Sequence, residues 1–408
     1  MIDKNLFLYD LAVVAIFKDE ARYLREWLDY HLLAGVEHFY LYNNDSSDDY
    51  REVLAPYVEE DLITLIDFPG KAMQIPAYED ALDKFRFECR YMAFIDIDEF
   101  IFPKSNHPIV EVVDEILSNH PDAAGLVANW QIFGSNGQEK ADYSRGVLER
   151  FTRREAGSNK TTDDNLKTVV NPRRVRYIFS PHFAFYFEGN FAINSNGQIV
   201  SAGKNYPTVI DKIVVNHYSV KSREEFLLKM NKSRADATKA LDMGHFTYHD
   251  FNDVFDDGIL KYRAERAKNF SFEDNSERIN RVMHCLARTL IQNSSVNLET
   301  LLACRALAEK FGIKLGEKSA EEIALTLIYR ALTQANTTFL EIRQLIRALP
   351  EILSRPFPIC KNIKQLIRDN LLPRFNDLLR QSGKFDCIEH YMISYTIKLL
   401  KDVEETRR

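Results

Sequence analysis

The sequence predicts an α/β protein: a mostly parallel sheet within residues 1–255, followed by an all-α helical domain over residues 275–408. Two observations support this prediction. Between residues 11 and 96, short apolar runs alternate with longer amphipathic stretches, as in consecutive β-α-β units. Beyond residue 275 the strand signals disappear, and amphipathic segments of helical length follow one another.

The elements of the first domain follow from runs of apolar residues and from their spacing. Strands are predicted at residues 11–17, 39–42, 62–66 and 92–95, and helices at 19–33, up to about 58, and at 76–91. This order of strands and helices predicts a parallel, doubly wound sheet. Residues 108–250 are less regular, with a helix predicted at 109–119, a strand at 125–130 and a helix at 222–239.

The C-terminal region contains predicted helices at residues 278–292, 298–311, 320–333, 338–347 and 388–405. Their amphipathic pattern is typical of a separate helical bundle. No fixed repeat is evident, and no cluster of catalytic residue types stands out there. The chemistry is therefore expected in the first domain.

Composition narrows the class of protein. With 408 residues, 45% hydrophobic and 28% charged, the chain can build a sizeable globular core. A net charge of -7 disfavours a nucleic-acid partner. The five cysteines are widely spaced, as reduced core residues are. No signal peptide or membrane-spanning run is evident, so we expect a cytoplasmic protein, with peripheral association at the inner face of a membrane as the alternative.

An apolar run at residues 91–95 ends in three acids, Asp96, Asp98 and Glu99. Because side chains alternate along an extended segment, Asp96 and Asp98 are predicted to point to the same side. Two carboxylates aimed at one point repel each other unless a cation lies between them, and hard divalent ions prefer carboxylate oxygens. The pair predicts a divalent-metal site; an exposed acidic turn is the alternative.

Polar residues also follow the first two predicted strands. Lys18, Asp19 and Glu20 follow the first strand, and residues 43–46 (Asn-Asn-Asp-Ser) follow the second. In an open α/β sheet, ligands bind in the crevice beyond the carboxyl ends of the strands. Together with Asp96 and Asp98, these residues place polar side chains after three strands and predict one polar binding edge. The alternatives are that Asp19 only caps a helix and that residues 43–46 form only a turn.

Several motifs, in this order, resemble the family-2-like and family-92 glycosyltransferases. They are VVAIFKDE at 13–20, EWLDYH at 26–31, GV at 35–36, FYLYNN at 39–44, the DxD segment FIDIDEF at 94–100, WQIFGSNG at 130–137, LKTVV at 166–170 and NHYSVKS at 216–222. The resemblance covers residues 10–240 and leaves the helical tail out. It implies a GT-A-type fold that transfers a sugar from a nucleoside diphosphate donor to a glycan or glycolipid acceptor, with inversion favoured.

The resemblance also implies roles for individual residues. Asp96 and Asp98 would bind Mn²⁺ or Mg²⁺, and His217 would complete the metal site or contact phosphate, with a purely structural histidine as the alternative. The nucleotide would be held by Phe17, Glu20, Asn43, Asp45 and Lys167, the last of these at the diphosphate. Arg173 and Arg174 would either join Lys167 or lie in a solvated basic loop. Trp130 and residues 134–137 would either form a sugar-binding face or be a core tryptophan and a turn.

An inverting transferase needs a carboxylate to deprotonate the acceptor hydroxyl. Asp142 and Glu188 lie in the acceptor-side region and are the candidates. Glu99 is a weaker one, because a neighbouring metal would lower its pKa.

Two other functions compete with sugar transfer. A haloacid-dehalogenase-like phosphatase also carries Asp-x-Asp after a strand, but on its first strand and followed two residues later by Thr or Val. A non-catalytic carbohydrate-binding scaffold is the second alternative. Among donors, a UDP-sugar such as UDP-galactose is favoured, although a difference of one hydroxyl between sugars cannot be predicted from the sequence.

Overall fold

The computed structural model describes residues 4–157, 164–187, 189–230, 241–268, 270–271 and 273–292, together with short stretches between 303 and 401. The chain divides into two compact units. One comprises Leu8–Arg278, and the other Met1–Phe7 with Ile279–Arg408. The site described below lies within Leu8–Arg278.

The described residues form fourteen strands. They are Tyr9–Phe17 (β1), His38–Asn43 (β2), Ile63–Asp67 (β3), Cys89–Phe94 (β4), Glu99–Pro103 (β5), Ala123–Ile132 (β6), Arg153–Arg154 (β7), Leu166–Val170 (β8), Val175–Ser180 (β9), Phe183–Tyr186 (β10), Phe191–Ile193 (β11), Ile199–Val200 (β12), Ile213–His217 (β13) and Val254–Phe255 (β14).

Ten of these strands form one sheet, in the order β12-β11-β6-β8-β4-β1-β2-β3, with β13 pairing both β6 and β5. The four strands predicted between residues 11 and 95 are present and parallel, in the spatial order β3-β2-β1-β4. The strand β8 is antiparallel to both β4 and β6. The sheet is therefore mixed rather than parallel throughout, because β8 enters it without a helical crossover.

The ten described α-helices are Ala21–Leu33 (α1), Tyr50–Glu59 (α2), Gln74–Phe85 (α3), Ile109–Leu117 (α4), Val147–Arg150 (α5), Arg223–Met230 (α6), Met243–His249 (α7), Gly258–Lys268 (α8), Asn275–Gln292 (α9) and Leu372–Arg380 (α10). Single 3-10 turns lie at Lys4–Leu6 and Pro172–Arg174. The prediction of helix up to residue 91 was wrong at its end, since α3 stops at Phe85 and Tyr91 belongs to β4.

The core of the sheet domain forms around β1 and α1. Except for Asp10, every residue of β1 is buried, which explains its nearly continuous apolar sequence. Helix α1 buries the indole of Trp27, whose Nε1 donates to the carbonyl oxygen of Glu99 at 2.8 Å. One turn later the Tyr30 hydroxyl donates to the carbonyl oxygen of Ile101 at 2.8 Å. These bonds fix the strand that directly follows the acidic segment.

Of the predicted C-terminal helices, 278–292 corresponds to α9. The others, at 298–311, 320–333, 338–347 and 388–405, lie wholly or largely outside the described residues, and α10 lies between them. In the part of the chain that the structure describes, no helix is long and apolar enough to cross a membrane.

Candidate active site

The acidic segment forms a tight turn between β4 and β5. The strand β4 ends at Phe94, and the backbone N–H of Glu99 donates to the carbonyl oxygen of Asp96 at 3.1 Å. The Glu99 carboxylate in turn accepts from the backbone N–H of Asp96 at 2.9 Å. The prediction that Asp96 and Asp98 alternate along an extended segment was therefore wrong. A turn separates their carboxylates, and each has its own partners.

The carboxylate of Asp96 is held by three donors. Its Oδ1 accepts from Gln74 Nε2 at 2.6 Å and from the Tyr78 hydroxyl at 3.3 Å, both from α3. Its Oδ2 accepts from Lys167 Nζ, in β8, at 2.9 Å. With these partners, about a third (32%) of the Asp96 side chain stays exposed.

Beneath Asp96, the ammonium of Lys167 connects two carboxylates. Lys167 Nζ lies 3.2 Å from Glu99 Oε2, and the two side chains are 1% and 0% exposed. Burial raises the pKa of Glu99 to about 7, although Lys167 opposes this shift. Burial lowers the pKa of Lys167, but Asp96 and Glu99 outweigh it and raise that pKa above its usual value. Lys167, which was predicted to contact the diphosphate, is thus buried between the carboxylates of Asp96 and Glu99.

The carboxylate of Asp98 points in another direction, toward α6 and β13. Its Oδ2 accepts from Lys229 Nζ at 2.7 Å, and its Oδ1 lies 3.5 Å from His217 Nε2. Although burial raises the pKa of Asp98, the nearby Lys229 and His217 hold it well below its usual range. Asp98 is therefore a carboxylate anion in a basic environment.

His217 reaches Asp98 because of the register of β13. This strand pairs antiparallel with β5 so that His217 lies opposite Glu99, and the backbone N–H of Tyr218 donates to the Asp98 carbonyl oxygen at 2.8 Å. The indole of Trp130 packs 4.2 Å from the imidazole. The structure thus brings together two residues that the sequence separates by more than a hundred positions.

The donor chemistry at this point partly fits Mn²⁺ or Mg²⁺. Asp98 Oδ1 and His217 Nε2 are close enough to share one ion, and an imidazole with a carboxylate suits Mn²⁺. The Asp96 carboxylate is instead turned toward Lys167. Among the described residues no group of three His, Cys, Asp or Glu side chains converges on one point. Of the three predicted metal ligands, Asp98 and His217 thus lie together, and Asp96 lies in the same turn as Asp98.

A cleft of about 680 Å³ has Lys229, the hydrogen-bond donor to Asp98, in its wall. Its wall includes residues that follow β1 and β2, residues that follow β13, and Tyr143: Asp19, Glu20, Tyr23, Asp48, Tyr143, Ser219, Lys221 and Lys229. The cleft joins the exit of β1 to the turn after β2 and to the start of α6, whereas Asp96 and Asp98 are not among the residues that line it.

Lys221 is an unusual residue in the wall of this cleft. Its side chain is buried and its backbone has a φ of 57°, a left-handed conformation that non-glycine residues seldom adopt. Its Nζ lies 4.5 Å from the centroid of the Tyr23 ring. Within the described residues, no carboxylate forms an ion pair with it. Burial lowers the pKa of Lys221, although the carboxylates of Asp98, Glu20 and Glu225 oppose this shift. An anionic ligand in the cleft would favour the charged form of this lysine further.

The predicted nucleoside contacts have different surroundings. Glu20 lines the 680 Å³ cleft, and Asp45 lines a neighbouring cavity of about 530 Å³ with Asn43. Asn43 is buried and donates to the Tyr50 hydroxyl and to Asp67, each at 2.8 Å. Phe17 is buried in the core, so that only its backbone remains for a ligand.

Of the two predicted general bases, the structure describes only Asp142, whose carboxylate is bound by residues of its own loop. The Asp142 carboxylate accepts from the Ser144 hydroxyl at 2.6 Å and from Arg145 Nε at 3.2 Å, and these hydrogen bonds lower its pKa. Glu188 lies outside the described residues.

The basic residues near β8 have structural contacts. Arg173 is buried and donates to the carbonyl oxygen of Cys89 at 2.6 Å, so it is neither a solvated loop residue nor part of the cleft. Arg174 donates to the carbonyl oxygen of Pro121, also at 2.6 Å. Both arginines therefore attach their turn to neighbouring backbone rather than to a ligand.

Sequence reasoning missed Gln74, Tyr78 and Lys229. A signal existed for Lys229, because it lies in the predicted helix at 222–239, which begins shortly after His217. No comparable signal existed for Gln74 and Tyr78, which contact Asp96 only because α3 packs across the end of β4.

Comparison with known proteins gives a consistent result. Residues 12–257 match the model of glycosyltransferase family 92. A glycosyltransferase family 92 protein of Oryza sativa subsp. japonica is 25% identical over 219 residues, which are 53% of this chain and 34% of that protein. A galactan beta-1,4-galactosyltransferase of Arabidopsis thaliana is 27% identical over 214 residues, 50% of this chain and 39% of that protein. The chain thus spans little more than a third of the length of these relatives.

Among solved structures, S. aureus TarS is 13% identical, with 97% of this chain and 90% of that chain covered. The TM-score is 0.31, which is too low to establish a common fold.

Proposed function

The chain belongs to glycosyltransferase family 92, and from this premise we propose that it transfers galactose from UDP-galactose to a galactan-type glycan with the aid of Mn²⁺ or Mg²⁺. The name of the Arabidopsis relatives, galactan beta-1,4-galactosyltransferase, supports the choice of sugar and acceptor. A GT-A-type arrangement, inversion at the anomeric carbon and a glycolipid as an alternative acceptor belong to the same proposal.

One observation carries the proposal: Lys229, in the wall of the cleft, donates to Asp98 of the DxD turn, and Asp98 lies 3.5 Å from His217. A nucleoside diphosphate leaving group gains negative charge as the glycosidic bond breaks. A divalent ion bound by Asp98 and His217 would neutralise part of this charge. Lys229 contacts Asp98, and the buried Lys221 adds a second basic side chain in the wall of the cleft for the phosphates.

Residues around the cleft would orient the donor. Glu20 and Asp48 line it on the side of β1 and β2, where carboxylate oxygens can accept from ribose hydroxyls or from the base. Asp48 Oδ1 is buried without a hydrogen-bond partner among the described residues, so an acceptor is available there. Lys167 would act indirectly by holding Asp96 and Glu99 in the turn.

The general base remains a choice between Asp142 and Glu188. Lowering of the Asp142 pKa weakens this carboxylate as a base, so it would need to exchange its bonds to Ser144 and Arg145 for the acceptor hydroxyl.

Family membership sets aside both rival functions. The position of the motif also speaks against a haloacid-dehalogenase-like phosphatase, because Asp96 and Asp98 follow the fourth strand rather than the first.

Calorimetry and a donor screen test the proposal. UDP is titrated into the full chain with and without Mn²⁺, and UDP or GDP release is then measured across a panel of UDP- and GDP-sugars with galactan oligosaccharides. We expect metal-dependent UDP binding and the highest turnover with UDP-galactose. Asp98→Asn should lower turnover at least about a hundredfold without changing the melting temperature by more than a few degrees. The matched control is Asp83→Asn on α3, whose carboxylate is 75% exposed.

Three results contradict parts of the proposal separately. Metal-independent UDP binding argues against the metal. Equal turnover of another nucleotide sugar argues against galactose. Full activity of Asp98→Asn argues against the role of the acidic turn.

A further inference from the structure

A small antiparallel hairpin, β9–β10, carries an aromatic patch that the donor site does not use. The patch consists of Tyr177, Phe179, Phe183 and Phe185. Tyr177, Phe179 and Phe185 are 39%, 64% and 39% exposed, high values for aromatic rings. The ring of Phe185 lies 4.9 Å from Tyr177, 5.4 Å from Phe179 and 5.2 Å from Phe183, measured between centroids. The four rings thus form one continuous surface.

The other face of the hairpin is anchored in the protein. Ile178 and Ala184 are buried, and the backbone N–H of Ile178 donates to the Glu79 carboxylate of α3. Alternation along β9 therefore places Ile178 inward and its neighbours Tyr177 and Phe179 outward. The exposed rings belong to a fixed platform.

The tip of this hairpin reaches the candidate active site. Ser180 pairs with Phe183, so that Pro181 and His182 form the turn. The His182 ring packs edge-on against Trp130 at 5.1 Å, and Trp130 lies 4.2 Å from His217. His182 Nδ1 also lies 2.9 Å from the carbonyl oxygen of Leu166, next to Lys167. The aromatic patch is thus continuous with the residues around the acidic turn.

We propose that the aromatic patch binds the acceptor glycan and guides its end from Phe179 past His182 toward the acidic turn. This inference rests on the proposed function and adds the surface that the acceptor uses. One face of a galactopyranose ring presents several C–H bonds, and these can lie against the negative face of an aromatic ring. Rings about 5 Å apart offer such contacts to successive sugars of an extended chain.

The chemistry of the two surfaces is complementary. The donor cleft is lined by charged residues, as a nucleoside diphosphate with its metal requires. The patch has no charged member, which suits a neutral polysaccharide. Its continuity with Trp130 and His217 favours a glycan over a membrane, because a membrane surface would not need to extend to the catalytic turn.

Acceptor length distinguishes this proposal from the alternatives. Initial rates are measured with UDP-galactose and either a β-1,4-galactan disaccharide or a hexasaccharide, for wild type, Phe179→Ala and Phe185→Ala. We expect KM for the hexasaccharide to rise roughly three- to tenfold in each variant, as loss of one aromatic contact predicts. KM for the disaccharide and the slow release of UDP without acceptor should not change. Phe255→Ala is the matched control, since Phe255 is 61% exposed on β14 outside the patch.

Several outcomes would overturn the proposal. An unchanged hexasaccharide KM in both variants is one, and an equal rise for both acceptors is another. A third is loss of binding to vesicles of phosphatidylcholine and phosphatidylglycerol with acceptor kinetics intact, which would assign the patch to a membrane. If wild type transfers no galactose, the proposed function fails by itself. Affinity electrophoresis in gels containing galactan then decides on the patch, because retardation of wild type but not of Phe179→Ala supports it and equal mobility refutes it.

Discussion

The buried ion pair between Arg150 and Glu225 should be essential for holding α6 beside the cleft. Both nitrogens at the end of the Arg150 guanidinium donate to the Glu225 carboxylate at 2.8 Å, and both side chains are 1% exposed. Glu225 also accepts from the Ser222 hydroxyl at 2.5 Å and from the Tyr23 hydroxyl at 3.0 Å. Because Lys229 lies on the same helix, we expect Arg150→Met to impair both stability and UDP binding.

The general cost of breaking a buried ion pair and the pKa of Glu225 indicate the size of the loss. Removing one partner of a buried pair typically costs about 3–5 kcal/mol. Although burial raises the pKa of Glu225, hydrogen bonds from Arg150 and Ser222 lower it from 4.5 to about 2. That difference, which Arg150 and Ser222 produce together, corresponds to about 3 kcal/mol of unfolding free energy at neutral pH. Since the folded-state pKa is depressed, this stabilisation is present above pH 4.5 and is lost as the pH falls toward 2.

Urea unfolding followed by tryptophan fluorescence measures the effect, because Trp27 and Trp130 are the only tryptophans and both lie in the Leu8–Arg278 unit. We expect Arg150→Met to lower the unfolding free energy by about 3 kcal/mol at pH 7, and by clearly less near pH 3. The control, Arg145→Met, removes an exposed pair with Asp142 and should cost less than about 1 kcal/mol. Equal losses in the two variants, or a loss for Arg150→Met that does not depend on pH, would refute the reasoning.

Three further predictions concern the site and its support. Lys221→Met should raise the Kd for UDP about tenfold in calorimetry, because it removes a buried cation from the cleft; an unchanged Kd would exclude contact with the phosphates. Lys167→Met should lower the free energy of unfolding in urea by about 3 kcal/mol, since it removes the partner of the buried Glu99. The control Lys84→Met removes an exposed lysine and should cost less than about 1 kcal/mol. In thermal melts, Gly134→Ala should lower the melting temperature more than Gly137→Ala. A methyl group at position 134 would collide with the carbonyl oxygen of Phe251, whereas Gly137 faces open space and would bear only the strain of a φ of 71°. A larger loss for Gly137→Ala would contradict this reasoning.

The first half of the fold could be predicted from local patterns. The strands β1 to β4 are short apolar runs followed by polar residues, and parallel strands buried on both faces produce that signal. The antiparallel strand β8 could not be placed in the same way. Its position between β4 and β6 depends on pairings with residues 37 to 78 positions away, and the periodicity of a sequence does not reveal such pairings.

The candidate site, too, could be predicted from the sequence only in part. Asp96 and Asp98 were evident because three acids rarely end an apolar run, but the turn that separates their carboxylates was not. His217 was recognised by its motif, whereas its contact with Asp98 depends on the pairing of β13 with β5. Lys167 was predicted at the diphosphate and lies instead beneath Asp96, since the direction of its side chain is set by the register of β8.

Because β13 pairs with β5, the register of β13 decides whether His217 lies next to Asp98. Successive residues of a strand point to opposite faces, so a shift of β13 by a single position would turn the imidazole away from Asp98 and put Asn216 or Tyr218 in its place. Insertions and deletions in the connection between β12 and β13 should therefore be tolerated only where β13 keeps its register with β5. During evolution the surface loops of this protein can thus vary in length, whereas the register of β13 must stay the same.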